Sequence, residues 1–404
     1  MQIVITAVLV LALLPFVYYL LSLYCVIGHF RRAHKALQPD LSFMPPASIL
    51  KPVRGLDHEA YENFASFCRL DYPKYELLFA VSDPCDPVIP VIENLRADFP
   101  ALSIRVLTNV PHVGASDKVN NLCQLAQNAE YDLLVMSDSD VRVEPDYLRQ
   151  VVAPFADPEV GVVTALYKSL SAGTLASHLD ALGMYMDSAP SALVAKQIER
   201  RLSFAFGWTM ATSKKHLAEI GGWEAMANHH SEDFELGKRI AQRGHRVVLM
   251  PKPVSMIFSK ETLSEYIRRE LRWSIALKSA RPSGYRGLLF THGLPWALAG
   301  AAVALSIDSL PMAASFLLTY LILRVAVTWL VGRWGLGDRQ LAKMISLVPV
   351  RDAISFFVWL AGFFAEKIVW RGLAYCLHEG QLIPIPSTNA TLPAHRESVS
   401  SVVG

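Results

Sequence analysis

The sequence predicts an α/β domain on a parallel, doubly wound (Rossmann-like) sheet, set between N-terminal and C-terminal transmembrane helices. Three observations predict it. Apolar residues gather at the two ends of the chain, short β-rich runs alternate with helical patterns between them, and polar residues cluster directly after the apolar strands. Of the 404 residues, 52% are hydrophobic and only 18% are charged. A soluble domain usually carries about 25% charge, so part of this chain is expected in lipid.

The ends come first. Residues 3–30 contain no Asp, Glu, Lys or Arg, and about 20 apolar residues suffice to span a bilayer. A cleaved signal peptide needs a basic start and a small-residue cleavage site. Met1-Gln2-Ile3 offers no basic side chain, and the run ends in bulky Tyr24 and Phe30, so a retained helix over 1–30 is expected. Arg31, Arg32 and Lys35 follow, which puts the next segment in the cytoplasm by the positive-inside rule. The second apolar region, 286–370, holds two or three helices. Residues 288–307 are uncharged, 309–332 are interrupted only by Arg324, and 345–365 carry Arg351-Asp352 near their start. That pair either neutralises itself at the interface or marks a segment lying in the membrane plane. Two spans leave the tail cytoplasmic and three leave it outside; Lys367 and Arg371 favour the cytoplasm. Residues 384–404 are polar and rich in Ser and Pro, and are expected to be disordered.

Between the ends, residues 36–285 read as one domain. Strands are expected at 47–50, 76–81, 104–107, 133–136 and 161–165, with helices at 58–69, 87–98 and 118–127. Such alternation favours a parallel sheet, and ligands of such sheets bind beyond the carboxyl ends of the strands. Four positions there draw attention. Lys51 ends the first strand and Asp83 follows the second. Asp138-Ser139-Asp140 follows the fourth, and Glu232-Asp233 opens a helical stretch that closes at Gly244. Two carboxylates in a D-x-D spacing can hold Mg²⁺ or Mn²⁺ through hard oxygen ligands, although a solvated turn has the same composition. Asp83 is either a nucleotide contact or a turn cap, and Lys118 either a phosphate contact or a surface cation. Asp233 can serve as a general base, its pKa raised by Glu232, or as a carboxylate favoured by the helix dipole.

Residues 261–280 form the last element of this domain. Thr262-x-x-Glu265 reads as a capping box, and Leu263, Ile267 and Leu271 make an apolar helical face. Arg268, Arg269, Arg272 and Lys278 make the helix basic, and Trp273 suits an interface, so the helix is expected on the membrane surface.

In order, Asp83, Asp138-Ser139-Asp140, Glu232-Asp233 and Arg269-Glu270-Leu271-Arg272-Trp273 resemble the D, D, D, (Q/R)xxRW signature of membrane glycosyltransferases with a GT-A fold. Ser48-Ile49-Leu50-Lys51-Pro52, Leu70-Asp71-Tyr72-Pro73, Lys118-Val119-Asn120-Asn121-Leu122 and Asp138-x-x-Val141-Arg142-Val143 narrow this to a resemblance to the ceramide glucosyltransferase family, glycosyltransferase family 21. The resemblance implies an inverting hexosyltransferase that moves a sugar from a UDP-sugar, UDP-glucose first, to the hydroxyl of a membrane lipid such as ceramide. It implies Lys51, Asp83, Lys118 and Asp138 at the donor, Asp138 and Asp140 at Mg²⁺ or Mn²⁺, and Asp233 as general base. It puts Arg269, Arg272 and Trp273 against donor phosphate or acceptor. Animal members have Gly at the third place of the triplet; Asp140 here suggests a more orthodox metal site. Pro145-Asp146-Tyr147-Leu148 and Arg281-Pro282-x-Gly284-Tyr285 also resemble the bacterial hopanoid branch, which implies a UDP-N-acetylglucosamine donor instead.

Other classes fit less well. A processive polysaccharide synthase usually has more spans and Gln where this chain has Arg269. A silent scaffold would have lost Asp233 or the RxxRW motif. Clustered carboxylates in a large polar domain argue against a transporter. The net charge of +2 gives no footprint for nucleic acid. Cys25, Cys68, Cys85, Cys123 and Cys376 form no C-x-x-C pair, so neither a disulfide framework nor a zinc site is expected. The partners expected are the UDP-sugar, a lipid acceptor and the bilayer, with the protein multi-pass in a bacterial inner membrane and its catalytic domain cytoplasmic.

Overall fold

The computed structural model describes residues 2–35, 43–170, 172–370 and 373–385. A seven-stranded sheet forms the centre, in the order Ser103–Thr108, Tyr75–Val81, Ala47–Val53, Leu133–Ser137, Thr209–Ser213, Val160–Thr164, Arg246–Leu249. The first four strands run parallel. Every residue of Ala47–Val53 and Leu133–Ser137 is buried, as near-continuous apolar runs covered on both faces require. Helices Ala60–Cys68, Ile89–Asp98 and Asp117–Asn128 are the connections that parallel strands need.

The sheet is not wholly parallel as expected. Thr209–Ser213 runs antiparallel to both its neighbours. Its sequence, TMATS, has no apolar run to announce a central strand. Its polar groups are satisfied locally: Thr212 Oγ1 donates to the Gly161 carbonyl at 2.7 Å, and Thr164 Oγ1 donates to the Thr209 carbonyl at 2.9 Å. A smaller sheet of Val141–Arg142, Val254–Ile257 and Tyr167–Leu170 lies beyond the central one. Its Ile257 N–H donates to the Asp140 carbonyl at 2.8 Å, which fixes the backbone just past the D-x-D turn.

Among the described residues, three helical stretches, at 2–35, 310–335 and 341–364, are long and apolar enough to cross a membrane, and a pair at 282–290 and 293–306, bent by 41°, makes a fourth candidate. The first helix runs on to Lys35 rather than ending at 30. At the far end of 310–335, a Cβ on Gly335 would lie 2.3 Å from the Phe30 ring, and Trp334 stands edge-on to Phe30 and His34. That end therefore meets the basic end of the first helix.

Val348–Phe364 behaves differently. Near its start Arg351 Nε donates to the Leu179 carbonyl at 3.1 Å, and just past its end the Ala365 carbonyl accepts from Lys278 Nζ at 2.8 Å. Both ends thus touch helices of the α/β domain. Arg351 and Asp352 do not neutralise each other. Asp352 pairs with Arg324 at 2.6 Å and Arg351 pairs with Glu270 at 2.7 Å. Arg324 thereby finds a buried acid, as a charge placed among apolar helices must.

The end of the region expected to be helical, 286–370, is strand. Lys367–Trp370, Leu373–His378 and Gln381–Pro384 form a three-stranded antiparallel sheet. Tyr375, Leu377 and Leu382 pack on Ile275 and Ala276 of the helix expected at the interface. The His230 N–H donates to the Gly380 carbonyl at 3.0 Å, and the Leu382 N–H donates to the Asn228 carbonyl at 2.7 Å. Arg371, and the expected disorder over 386–404, lie outside the described residues.

Candidate active site

Because Ala47–Val53, Tyr75–Val81 and Leu133–Ser137 are parallel and in register, their carboxyl ends share one edge of the sheet. Asp83 and Asp138 therefore lie on the same side. Lys51 is fully buried, donating from Nζ to Ser137 Oγ at 3.2 Å and to the Asp138 carbonyl at 2.8 Å, with its ammonium 3.5 Å from the Phe67 ring centre. Burial pushes its pKa down to about 7 against the pull of Asp138, Asp140 and Asp57. It braces the turn rather than standing in the open to meet a phosphate. Asp83 is exposed and its Oδ1 accepts the Cys85 N–H at 2.8 Å, so it caps its own turn at the mouth of the site.

Lys118 gathers the rest. Its Nζ lies 2.6 Å from Asp138 Oδ1 and 2.8 Å from Glu232 Oε1, joining the D-x-D turn to the helix Glu232–Gln242. Burial opposes its charge, but Asp138 and Glu232 outweigh that and raise its pKa. Asp233 stands beside this pair. A Cβ on Gly207 would sit 3.1 Å from Asp233 Oδ2 and 3.4 Å from Lys118 Nζ, so both groups come together over that glycine. Burial, then Glu232, push the Asp233 carboxyl up to about 7, while Lys118 and the Phe234 N–H pull it down. His230 is also near: burial, then Arg272 and Lys118, push its imidazole down to about 3. Glu232, expected to raise the Asp233 pKa and to stand as the alternative base, also holds Lys118; nothing in the sequence signals the place of Gly207.

The helix bearing Asp233 sits hard against the segment before Thr209. A Cβ on Gly237 would meet the Ala205 nitrogen and the Phe204 carbonyl carbon at 2.4 Å. Overpacking of this kind costs about 1–3 kcal/mol. Gly237→Ala is therefore expected to lower the melting temperature and to reduce activity by moving Asp233. An unchanged melt in a scanning fluorimetry trace would refute that contact.

Asp140 is half-buried, and its Oδ1 is shut off from solvent with no hydrogen-bond partner among the described residues. Burial first, then Asp138 and Asp57, push its pKa up to about 7. An orphaned buried carboxylate oxygen beside a second carboxylate fits a divalent cation. The protein would supply these two carboxylates, and diphosphate and water would complete the shell. Among the described residues, the group of three side chains close enough to share an ion lies elsewhere, at His216, Glu219 and His245, where His245 Nε2 is 2.7 Å from Glu219.

The helix expected at the interface is Leu263–Ala280, opened by the expected capping box of Thr262 and Glu265. Arg269 pairs with Asp180 at 2.6 Å and Glu261 at 3.0 Å, and its guanidinium lies 4.8 Å from the Trp273 ring centre. It fastens this helix to Leu175–Gly183, with carboxylates already on its fork. Arg272 is the basic residue of the motif that acts on His230. Trp273 lines a cavity shared with residues of the C-terminal helices, among them Arg324, Arg351 and Trp359.

The family model described as "Glycosyl transferase family 21" matches residues 7–383, nearly the whole chain. The chain belongs to glycosyl transferase family 21. Among curated relatives in the comparison, "Ceramide glucosyltransferase 3" of Caenorhabditis elegans is 26% identical over 255 residues, 60% of this chain and 52% of the relative. "Ceramide glucosyltransferase 1" of the same organism is 25% identical over 270 residues, 64% of this chain and 55% of the relative. The chain thus spans about half the length of these relatives. "Ceramide glucosyltransferase" of Candida albicans is 36% identical over 118 residues, 26% of this chain and 22% of the relative. Among solved structures, "Mannosyltransferase PcManGT from Pyrobaculum calidifontis in complex with GDP-Man and Mn2+" superposes with a TM-score of 0.53 at 18% identity, covering 88% of this chain and 99% of that one. The domain has the GT-A fold that the motif order implied.

Proposed function

We propose that this protein transfers a sugar from a UDP-sugar, UDP-glucose first, to the hydroxyl of a membrane lipid of the ceramide type, with inversion at the anomeric carbon. The observation that carries the reading is Asp233: a half-buried carboxylate with a raised pKa, held beside Lys118 and the D-x-D turn. One base suffices for a single displacement. The acceptor oxygen bonds to the anomeric carbon as the bond to the β-phosphate oxygen breaks. Asp233 takes the acceptor proton, and UDP leaves with the electron pair. Lys118 and the residues of the turn hold the departing diphosphate, and a bound Mg²⁺ or Mn²⁺ would supply charge neutralisation there. Asp83, exposed at the mouth, is placed for the nucleoside end.

The test is incubation of the purified protein in nanodiscs with radiolabelled UDP-glucose or UDP-N-acetylglucosamine, with ceramide or a bacterial lipid extract. Labelled glucosylceramide supports the reading. Label from UDP-N-acetylglucosamine in a polyol triterpenoid would assign the hopanoid branch instead. Label in a polymer, with no labelled lipid, would overturn lipid transfer.

For the membrane we propose crossings at the first helix, at 293–306 and at 310–335, with 341–364 lying along the interface. This reading is supported by the two ends of 341–364, which both touch the α/β domain, and by the C-terminal sheet, which packs on the same domain. With Arg31, Arg32 and Lys35 cytoplasmic, domain and tail both face the cytoplasm of a bacterial cell. In two chains each reduced to a single cysteine, Glu379→Cys and native Cys85 are both expected to react with a membrane-impermeant maleimide only in inverted vesicles. Labelling of the two from opposite sides would refute the in-plane helix.

A further inference from the structure

A cavity of about 190 Å³ lies where the α/β domain meets the membrane helices. Its walls come from the interface helix (Glu270, Trp273), the 175–198 helix (Asp187), the bend before Gly293 (His292) and Val348–Phe364 (Arg351). We infer that this cavity binds the uncharged polar segment next to the reacting hydroxyl of the lipid acceptor, a segment bearing hydroxyl and carbonyl groups. The inference rests on the lipid-transfer reading above and says which lipids that reaction takes.

Three observations carry it. The cavity is built to hydrogen-bond something. His292 Nε2 and Arg351 Nη1 are buried with no partner among the described residues, and both side chains line the cavity. His292 is 7% and Arg351 4% exposed, so neither group turns to solvent instead. A buried donor left unmade costs about 1–3 kcal/mol, which a ligand carbonyl or hydroxyl recovers.

The charges of the walls select against anions. Arg324 is committed to Asp352 at 2.6 Å and Asp187 at 2.5 Å. Arg351 is committed to Glu270 at 2.7 Å and lies 3.5 Å from Asp187. Asp180, held by Arg269 at 2.6 Å, adds a third carboxylate to the wall beside Asp187 and Glu270. A phosphate placed here would face acids whose cations are already in use, whereas a hydroxyl or amide meets no such penalty. The wall is also specially shaped. Met184–Ser188 is a widened helical turn that sends the Met186 carbonyl to Arg324 at 2.6 Å and carries Asp187. Widened turns of this kind recur at functional sites.

The position suits an acceptor. Tyr167 lines the cavity and stands edge-on to Trp208, with ring centres 4.7 Å apart. The Trp208 carbonyl accepts the Asp138 N–H at 3.3 Å, and Gly207 lies against Asp233. One side-chain layer therefore separates the cavity from the carboxylates. On the other side Trp273 and Leu277 are about two-fifths exposed, 39% and 41%, on a helix flanked by the apolar face of Val348–Phe364. Lipid tails remain there while the polar segment enters.

Binding is read without catalysis, by quenching of tryptophan fluorescence, since Trp273 and Trp359 both line the cavity. The full-length protein in phosphatidylcholine nanodiscs is titrated with three brominated short-chain lipids: an N-acyl amino diol, an alkyl polyol lacking the amide, and the phosphate ester of the first. The N-acyl amino diol is expected to quench saturably, with the phosphate ester at least about tenfold weaker. The polyol arm tells an amide-bearing acceptor from a triterpenoid-like one, because saturable quenching by it alone assigns the polyol. His292→Ala is expected to weaken the preferred lipid about tenfold while UDP affinity is unchanged. Asp187→Asn, nearly isosteric, is expected to narrow the gap to the phosphate ester and serves also if His292→Ala does not fold. Equal binding of the phosphate ester, or no saturable quenching by either uncharged lipid, overturns the inference. Saturable quenching without sugar transfer leaves the cavity assignment standing and overturns the reaction proposed above.

Discussion

Asp233→Asn is expected to lower turnover by about 10²- to 10⁴-fold, the usual worth of a general base, with UDP affinity unchanged. The substitution keeps the shape over Gly207 and removes only the basicity. Wild-type kcat/KM should also depend on pH with a definite sign. Glu232, Lys118, Asp138 and the Phe234 N–H act on this carboxyl, and the balance with burial holds its pKa at about 7. The base works when deprotonated. Activity should therefore rise about tenfold per pH unit below 7 and level off above it, and the rising limb should be absent from the residual rate of Asp233→Asn. A profile flat between pH 5 and 9, or near-normal turnover of the variant on a lipid acceptor, would make Glu232 the next base to test. Glu232 already carries the Lys118 contact at 2.8 Å, so its removal should also disturb UDP binding. That difference separates the two carboxylates.

Much of this was legible in the sequence because a buried parallel strand is an apolar run with an abrupt end. Asp83 and Asp138 each follow such a run, and parallel pairing puts both on one edge of the sheet. The capping box at Thr262 and Glu265 was legible for a similar reason: it is a local pattern with a local cause. What could not be read were contacts between distant segments. Nothing near Lys118 signals that its partners are Asp138 and Glu232. Arg269 reads as a substrate contact until Asp180 and Glu261 are seen on its guanidinium. Arg351-Asp352 reads as either a self-neutralised pair or the mark of an in-plane segment, and neither reading foretells that each residue has a separate partner on another helix. Thr209–Ser213 hides because its burial is satisfied by threonine hydroxyls rather than by an apolar run. The C-terminal sheet hides because its strands are short and complete their core with Leu271, Ile275 and Ala276 of a distant helix.

The second large effect concerns the cation. Chelation with EDTA is expected to abolish sugar transfer, and Mg²⁺ or Mn²⁺ to restore it. Asp140→Asn is expected to lower turnover by at least about 100-fold, since a cation stabilises developing charge by several kcal/mol. The reason is specific to this turn. Asp140 Oδ1 is buried without a partner, and a carboxylate left so is costly unless something positive meets it. Lys118 cannot serve both acids, for it is held between Asp138 and Glu232. Lys51 lies under the turn, its Nζ directed to the Asp138 carbonyl rather than to a carboxylate. The competing account is that Asp140 simply stays protonated and supports the fold. Asn is close to isosteric with a protonated Asp and tells the two apart. On that account the variant keeps its activity and its melting temperature, and Mn²⁺ bound in the presence of UDP, followed by paramagnetic resonance, is unchanged. If Asp140 holds the cation, the UDP-dependent Mn²⁺ signal is lost while the melt in the absence of metal stays the same or rises, because a buried charge has been removed. Full transfer activity in excess chelator would rule out the cation altogether and leave Lys118 as the positive group facing the departing diphosphate.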